Sequence, residues 1–387
     1  MLEKRRIPEL VPRYSLTGDL LSFLRCGLLY RYQNGSALPP SRPVQVWFGE
    51  FIHGVMETAY RMWLEGARTF PWPCNPSSPL QPPPSGRAPH DIGSIGELVE
   101  TTLSAAGKTP RSRTLRESAY QRAELAVNHV GPHLFPLIVA AEEKVIGTRE
   151  LQPVAGAPMR ARMYELHGIM DVLSSVSVAS AAGNVIREAV RRVCTQLPPD
   201  ADIIVDYKGS RRPPTAHPYW EQGGWQLQTY AWLRSRQSNT RPVAAGVLLY
   251  INELAPAADD LTTLLREMRD GGTDIVPAAG SPDAYQLNTW RPGAEVPTFS
   301  LDFRMARMIR VVPITEPSMN AAIAAFDEVV RRIESCVAQE AAHGDILRHW
   351  PAEGDEPTCD ACDFRHFCPA PAQHRRPGYV PGAPNAP

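Results

Sequence analysis

Apolar residues recur along this chain at two different periods, and the period changes near residue 142. Before that point the spacing is helical. Ser15 to Tyr32 reads as a capped helix, with Ser15 or Thr17 ahead of Leu20, Leu21, Phe23, Leu24 and Leu28. Phe48 to Leu64 repeats the pattern through Phe51, Ile52, Val55, Met56, Tyr60 and Trp63. Residues 93–106 and 112–141 are expected to be mostly helical. From 142 onward the runs shorten and fill with β-formers, so 142–151, 160–167 and 168–178 predict strands of a meander. A helix at about 184–194 interrupts them. The stretch DIIVDYK then reads as a buried strand, Gly223 to Ser235 as a helix and AAGVLLYIN as another strand. FSLDFRMARMIRVVPI should supply a late strand, and Asn320 to Gly344 is a long amphipathic helix that leads to a cysteine cluster. No linker separates two cores, so the pattern predicts one α/β domain over residues 1–368.

Composition changes this picture in three places. The chain has 387 residues, enough to bury a large core, and 39 prolines that crowd into residues 70–91 and the tail at 369–387. The first is expected to be an irregular insertion and the second a flexible end; 176–200 and 255–298 read as further insertions. With 40 basic and 41 acidic residues the net charge is −1, so no global basic field points to nucleic acid, although a local basic groove suffices for phosphate contacts. Two basic runs, Lys108–Arg111–Arg113–Arg116 and Arg304–Arg307–Arg310, read as solvated faces. Charged, proline-broken residues follow Met1, no apolar run approaches the ~20 residues of a membrane helix, and seven unevenly spaced cysteines do not suggest secreted disulfides. A soluble, cytoplasmic protein without a membrane partner is expected.

The candidate chemistry lies at strand ends and in the cysteines. Side chains alternate along a strand, so Asp206 and Lys208 of IIVDYKGS share a face. A carboxylate there binds a hard divalent cation, and an ammonium beside it offsets charge on a reacting phosphate. Asp171 in HGIMDV offers a second carboxylate. Gln226 and Tyr230, four apart on a helix, share a face suited to holding a nucleic-acid strand. His53, off the apolar stripe of its helix, offers an imidazole to a mixed metal site. Near the C-terminus Cys359, Cys362 and Cys368 follow a C-x2-C-x5-C pattern, and Cys26 is a remote fourth thiol. Four thiolates hold either a [4Fe–4S] cluster or a structural zinc.

Taken in order, His53, the G-x-x-D at Asp171, the D-x-K at Asp206 and Lys208 and the Q-x-x-x-Y from Gln226 to Tyr230 resemble the RecB-like branch of the PD-(D/E)xK nucleases. The cysteine pattern is similar to that branch's iron–sulfur subgroup, which includes CRISPR-adaptation exonucleases and the nuclease domains of helicase–nuclease complexes. The resemblance runs from about Ser15 to Cys368. It implies a restriction-endonuclease-like core, a mixed sheet flanked by helices, with the N- and C-terminal segments joined by the four-cysteine cluster. It implies magnesium or manganese on Asp171, Asp206 and the Tyr207 carbonyl, with His53 a further ligand and Lys208 the catalytic lysine. It adds an upstream acid, either Glu142 or Glu143. With the asymmetric thiol spacing, it favours [4Fe–4S] over zinc.

The activity so implied is a metal-dependent deoxyribonuclease, an exonuclease on single strands or duplex ends, serving CRISPR adaptation, phage defence or recombination and repair beside a helicase or CRISPR integrase complex. The alternative is a non-catalytic iron–sulfur subunit that only binds nucleic acid.

Overall fold

The computed structural model describes residues 11–35, 46–67, 69–76, 88, 90–153, 160–177, 183–198, 200–360, 362, 364–365 and 368. The proline-rich tail and residues 77–87 of the first insertion lie outside them. The short strand β1 (Arg13–Ser15) runs into a π-helical turn (Leu16–Leu21), α1 (Ser22–Arg25) and α2 (Gly27–Gly35). Helices α3 (Val46–Leu64), α4 (Ile92–Ala105), α5 (Arg113–Leu125) and α6 (Gly131–Leu134) follow. The long antiparallel pair β2 (Ile138–Glu150) and β3 (Met163–Ser177) then begins the sheet proper. Next come α7 (Val185–Val193), β4 (Asp200–Lys208), α8 (Pro218–Ser235) and β5 (Val243–Tyr250). The chain ends through α9 (Ala258–Asp270), α10 (Pro282–Thr289), α11 (Leu301–Met308), β6 (Ile309–Pro313), α12 (Glu316–His343), α13 (Ile346–His349) and α14 (Glu356–Asp360).

The six strands make one mixed sheet in the order β1-β3-β4-β5-β6, with β2 on the other side of β3. β4 and β5 are parallel, with α8 crossing between them, as a parallel pair requires. Period-2 alternation divides the interior into two cores. On β4 and β5, Ile203, Val205, Tyr207, Val247 and Leu249 face a core shared with α3, α4 and α5. Ile204, Leu248 and Tyr250 face the other core, shared with α8, α12 and the N-terminal turn.

The structure departs from the sequence reading at several points. The expected strands 160–167 and 168–178 are one strand, because Gly168 pairs with Val145 in the ladder and no turn forms there. The expected late strand is only β6. Ahead of it, Ser300 accepts a hydrogen bond from the Phe303 N–H and nucleates α11 instead. The 255–298 insertion is not irregular: α9 and α10 bury Leu261, Leu264 and Leu287 in a small core with Trp290, Phe299 and Phe303. The second basic run is not a solvated face either. Arg307 and Arg310 are buried, with Arg307 paired to Glu253 at 2.6 Å and Arg310 donating to the Trp220 carbonyl at 2.8 Å. Finally, the predicted first helix breaks at Cys26, whose extended backbone separates α1 from α2.

The two ends of the chain meet on the second core. Leu28 N–H donates to the Pro351 carbonyl at 2.8 Å, Arg31 reaches Glu340 on α12 at 2.6 Å, and Phe23 and Tyr30 pack against Trp350. The thiols are therefore not the sole tie between the ends. No described helix is long and apolar enough to cross a membrane.

Candidate active site

Strand register lines up three carboxylates. Ala141 pairs with Val172 and Glu143 with Met170, so Glu142 stands across from Asp171. Val172 pairs with Val205, and one step further Asp171 stands beside Asp206. Glu142, Asp171 and Asp206 thus form a row across β2, β3 and β4 where β4 ends. Helices from both faces of the sheet reach this row.

From α3, His53 places Nδ1 3.5 Å from Asp171 Oδ2 and Nε2 3.1 Å from the Tyr207 carbonyl oxygen. The Tyr207 N–H donates to Asp171 Oδ2 at 2.9 Å. One ligand atom each from His53, Glu142 and Asp171 lies within 4.8 Å of the others, the spacing a single cation can bridge. The choice left open between Glu142 and Glu143 falls to Glu142, since Glu143 turns to Arg234 on α8 at 3.0 Å. Glu142 has φ 53°, left-handed backbone that costs a non-glycine residue roughly 1–3 kcal/mol and tends to persist at functional positions. Nothing in the sequence marks that strain.

From α8, Gln226 bridges the D-x-K pair. Its Oε1 accepts from Lys208 Nζ at 2.7 Å, and its Nε2 donates to Asp206 Oδ1 at 2.9 Å. Lys208 Nζ also lies 2.6 Å from Asp206 Oδ2. Asp206 therefore stands next to the His53–Glu142–Asp171 set with its oxygens engaged by Lys208 and Gln226. The expected open face of Gln226 and Tyr230 is not found. Both are buried, at 5% and 2% exposure, and the Tyr230 ring lies over Gly168, where an added Cβ would come within 2.5 Å of it. No base can stack on Tyr230. It backs Gln226 instead, with its hydroxyl 3.5 Å from Nε2.

The electrostatics follow from crowding acids in a dry place. Burial pushes the Asp171 carboxyl up to about 7, against the pull of His53, with Asp206 pushing it further. Burial, then Glu57, raises Glu142 as well. Burial opposes the Lys208 ammonium, but Asp206 outweighs it and holds the lysine above its ordinary value. Such a group is a fixed positive charge at neutral pH, not a base.

The four cysteines singled out above converge at the far end of α12. Cys26, Cys359, Cys362 and Cys368 line one small cavity with Tyr32 and Phe364. No disulfide forms among the described residues. Burial first, then the neighbouring Cys26, Cys368 and Cys362 sulfurs, pushes the Cys359 thiol up to about 12, a repulsion that a bound cation would reverse. This donor set fits a thiolate-bound metal or cluster.

A six-stranded mixed sheet flanked by helices, with acids and a lysine gathered at a central strand end, is the restriction-endonuclease-like α/β fold. Residues 198–369 match the model of the PD-(D/E)XK nuclease superfamily, and this similarity implies a nuclease, a hydrolase whose substrate is nucleic acid. The matched stretch holds Asp206, Lys208, Gln226 and three of the converging cysteines, while His53, Glu142 and Asp171 come from the chain before it. No curated protein matches the chain.

Proposed function

We propose that the protein is a magnesium- or manganese-dependent deoxyribonuclease acting on single strands or strand ends. The observation that carries this reading is the row Glu142–Asp171–Asp206, with His53 against Asp171 and Lys208 against Asp206. His53, Glu142 and Asp171 would hold the cation, with Asp206 and the Tyr207 carbonyl beside them, and the cation would supply Lewis-acid polarisation of the phosphate and acidify a water. Lys208 keeps its proton and offsets the charge that develops on the phosphate oxygens. Gln226 fixes the distance between Lys208 and Asp206, and His53 orients Asp171. A scaffold that only bound nucleic acid would have no use for a charged lysine clamped against a buried carboxylate.

The converging thiols support a [4Fe–4S] cluster, favoured over zinc by the single C-x2-C pair and the remote Cys26. The cysteine resemblance further supports a place in CRISPR adaptation, phage defence or recombination and repair, in the cytoplasm, beside a helicase or a CRISPR integrase complex.

The test is degradation of end-labelled single-stranded DNA. Cutting should require magnesium or manganese, stop with EDTA and vanish in Lys208→Ala, whose DNA binding should stay close to that of the parent. Full activity in Lys208→Ala would remove the D-x-K pair from the chemistry.

A further inference from the structure

A cavity of about 240 Å³ opens beside Lys208. Leu21 and Arg25 come to it from the N-terminal turn and α1, Tyr219 and Gln226 from α8, and Lys208 and Tyr250 from the paired ends of β4 and β5. His53, Glu142 and Asp171 are not among its walls, so Lys208 stands between the ligand set and the cavity. A phosphate held between the cation and Lys208 would leave the adjoining nucleotide at the cavity mouth.

The walls suit a base better than a second phosphate. Leu21, Tyr219 and Tyr250 give apolar surface, and Gln222 and Ser210 add polar edges. The cations differ in how they are engaged. Lys208 is held by Asp206, and Arg211 is held by Glu267 through bonds of 2.6 and 2.8 Å. Arg25, which is exposed and donates to the Tyr219 phenol, makes no ion pair among the described residues. Asp355, an acid that also faces Tyr219, is engaged by the Thr358 N–H at 2.8 Å. Arg25 is therefore the charge at this rim left available to an incoming anion. A paired base cannot enter such a recess, because the stack holds it in the duplex.

We infer that this cavity binds one unpaired nucleotide next to the scissile phosphate, with its base against Tyr219 and its outer phosphate on Arg25. The inference rests on the nuclease reading and narrows it to a strand with an unpaired end or segment. Neither Arg25 nor Tyr219 belongs to the D-x-K, G-x-x-D or Q-x-x-x-Y patterns. Tyr219 takes the stacking role that the sequence had suggested for Tyr230.

Fluorescence anisotropy with fluorescein-labelled oligothymidylate in EDTA tests the subsite. Tyr219→Ala and Arg25→Gln should each weaken binding about tenfold or more, the scale of one lost stacking or phosphate contact, while Tyr219→Phe stays near the parent. Binding of a blunt duplex should not change in any of them. A second measurement uses the unmodified protein, so that misfolding of a variant cannot obscure the result. A single abasic site is moved along a manganese-cleaved strand, and cutting should slow most when it adjoins the cleaved bond. Parent-like binding in Tyr219→Ala and Arg25→Gln, together with a featureless abasic scan, would overturn the subsite. If the parent cuts in manganese and Lys208→Ala does not, the nuclease reading survives that loss; if the parent protein itself leaves every strand intact in manganese, the nuclease reading falls.

Discussion

Asp171 and Lys208 are set by opposite balances of the same two effects. At Lys208 the carboxylate 2.6 Å away outweighs burial, and the charge is kept. At Asp171 burial outweighs the imidazole 3.5 Å away, and the carboxyl tends to hold its proton. A cation must displace that proton, so metal binding is proton-linked. Manganese affinity measured by calorimetry should tighten as the pH rises through about 7, with proton release on binding. Pairing with a proton works the other way for the empty protein: the raised carboxyl contributes stability below its unfolded value, and that contribution is lost as the pH rises through about 7. Affinity independent of pH across that window would take Asp171 out of the ligand set. Gly168 makes a second point at this scale. Its missing side chain is what lets Tyr230 reach Gln226, since a Cβ would sit 2.5 Å from the ring. Gly168→Ala should destabilise the fold by about 1–3 kcal/mol in thermal unfolding and lower cutting as well, through the shifted Gln226.

Among the elements, β3 does the most to assemble the site. Its first half pairs with β1 and its second half with β4, so Asp171 falls at the junction, where helices from both faces can reach it. The α9–α10 insertion has a different task. It clamps the loop that follows Lys208, with Arg211 held by Glu267, Arg212 held by Asp274 at 2.8 Å, and the Thr215 N–H donating to the Gly272 carbonyl at 2.9 Å. Glu267→Ala leaves the half-buried Arg211 guanidinium with only Asp260, 3.9 Å away, and breaking a buried pair in this way costs up to about 3–5 kcal/mol. Denaturant unfolding should show a loss of that order. A loss below about 1 kcal/mol, the scale of an exposed surface pair, would mean that the loop is held by something else.

On the scale of the whole molecule, the two chain ends close one structure around the second core. Apolar packing and Arg31–Glu340 do that work, and the four thiols converge at the same place. Purified without oxygen, the protein should be brown, with a broad visible absorbance that bleaches on reduction. Cys26→Ala should lose the colour and some stability, yet remain folded, because the other contacts between the ends persist. A colourless protein carrying one zinc per chain would overturn the iron assignment while leaving the four-thiol site intact.

The sequence by itself determined the period-2 strand IIVDYKGS, the amphipathic helices, the D-x-K pair and the C-x2-C-x5-C run of Cys359, Cys362 and Cys368. Each of these is a local pattern, because alternation along a strand or spacing along a helix fixes which side chains share a face. Tertiary structure alone decided which acid joins the site. Glu142 and Glu143 are adjacent and chemically alike, and only the register with Asp171 and the pull of Arg234 separate them. It also decided that Tyr230 is buried and Tyr219 lines a cavity, since both sit on α8 and only the packing of that helix against β3 and β5 tells its inner face from its rim. Arg25 and Lys208 line one cavity although 183 positions separate them in the chain. Which residues from distant segments meet depends on the path of the whole chain, and no local period encodes it.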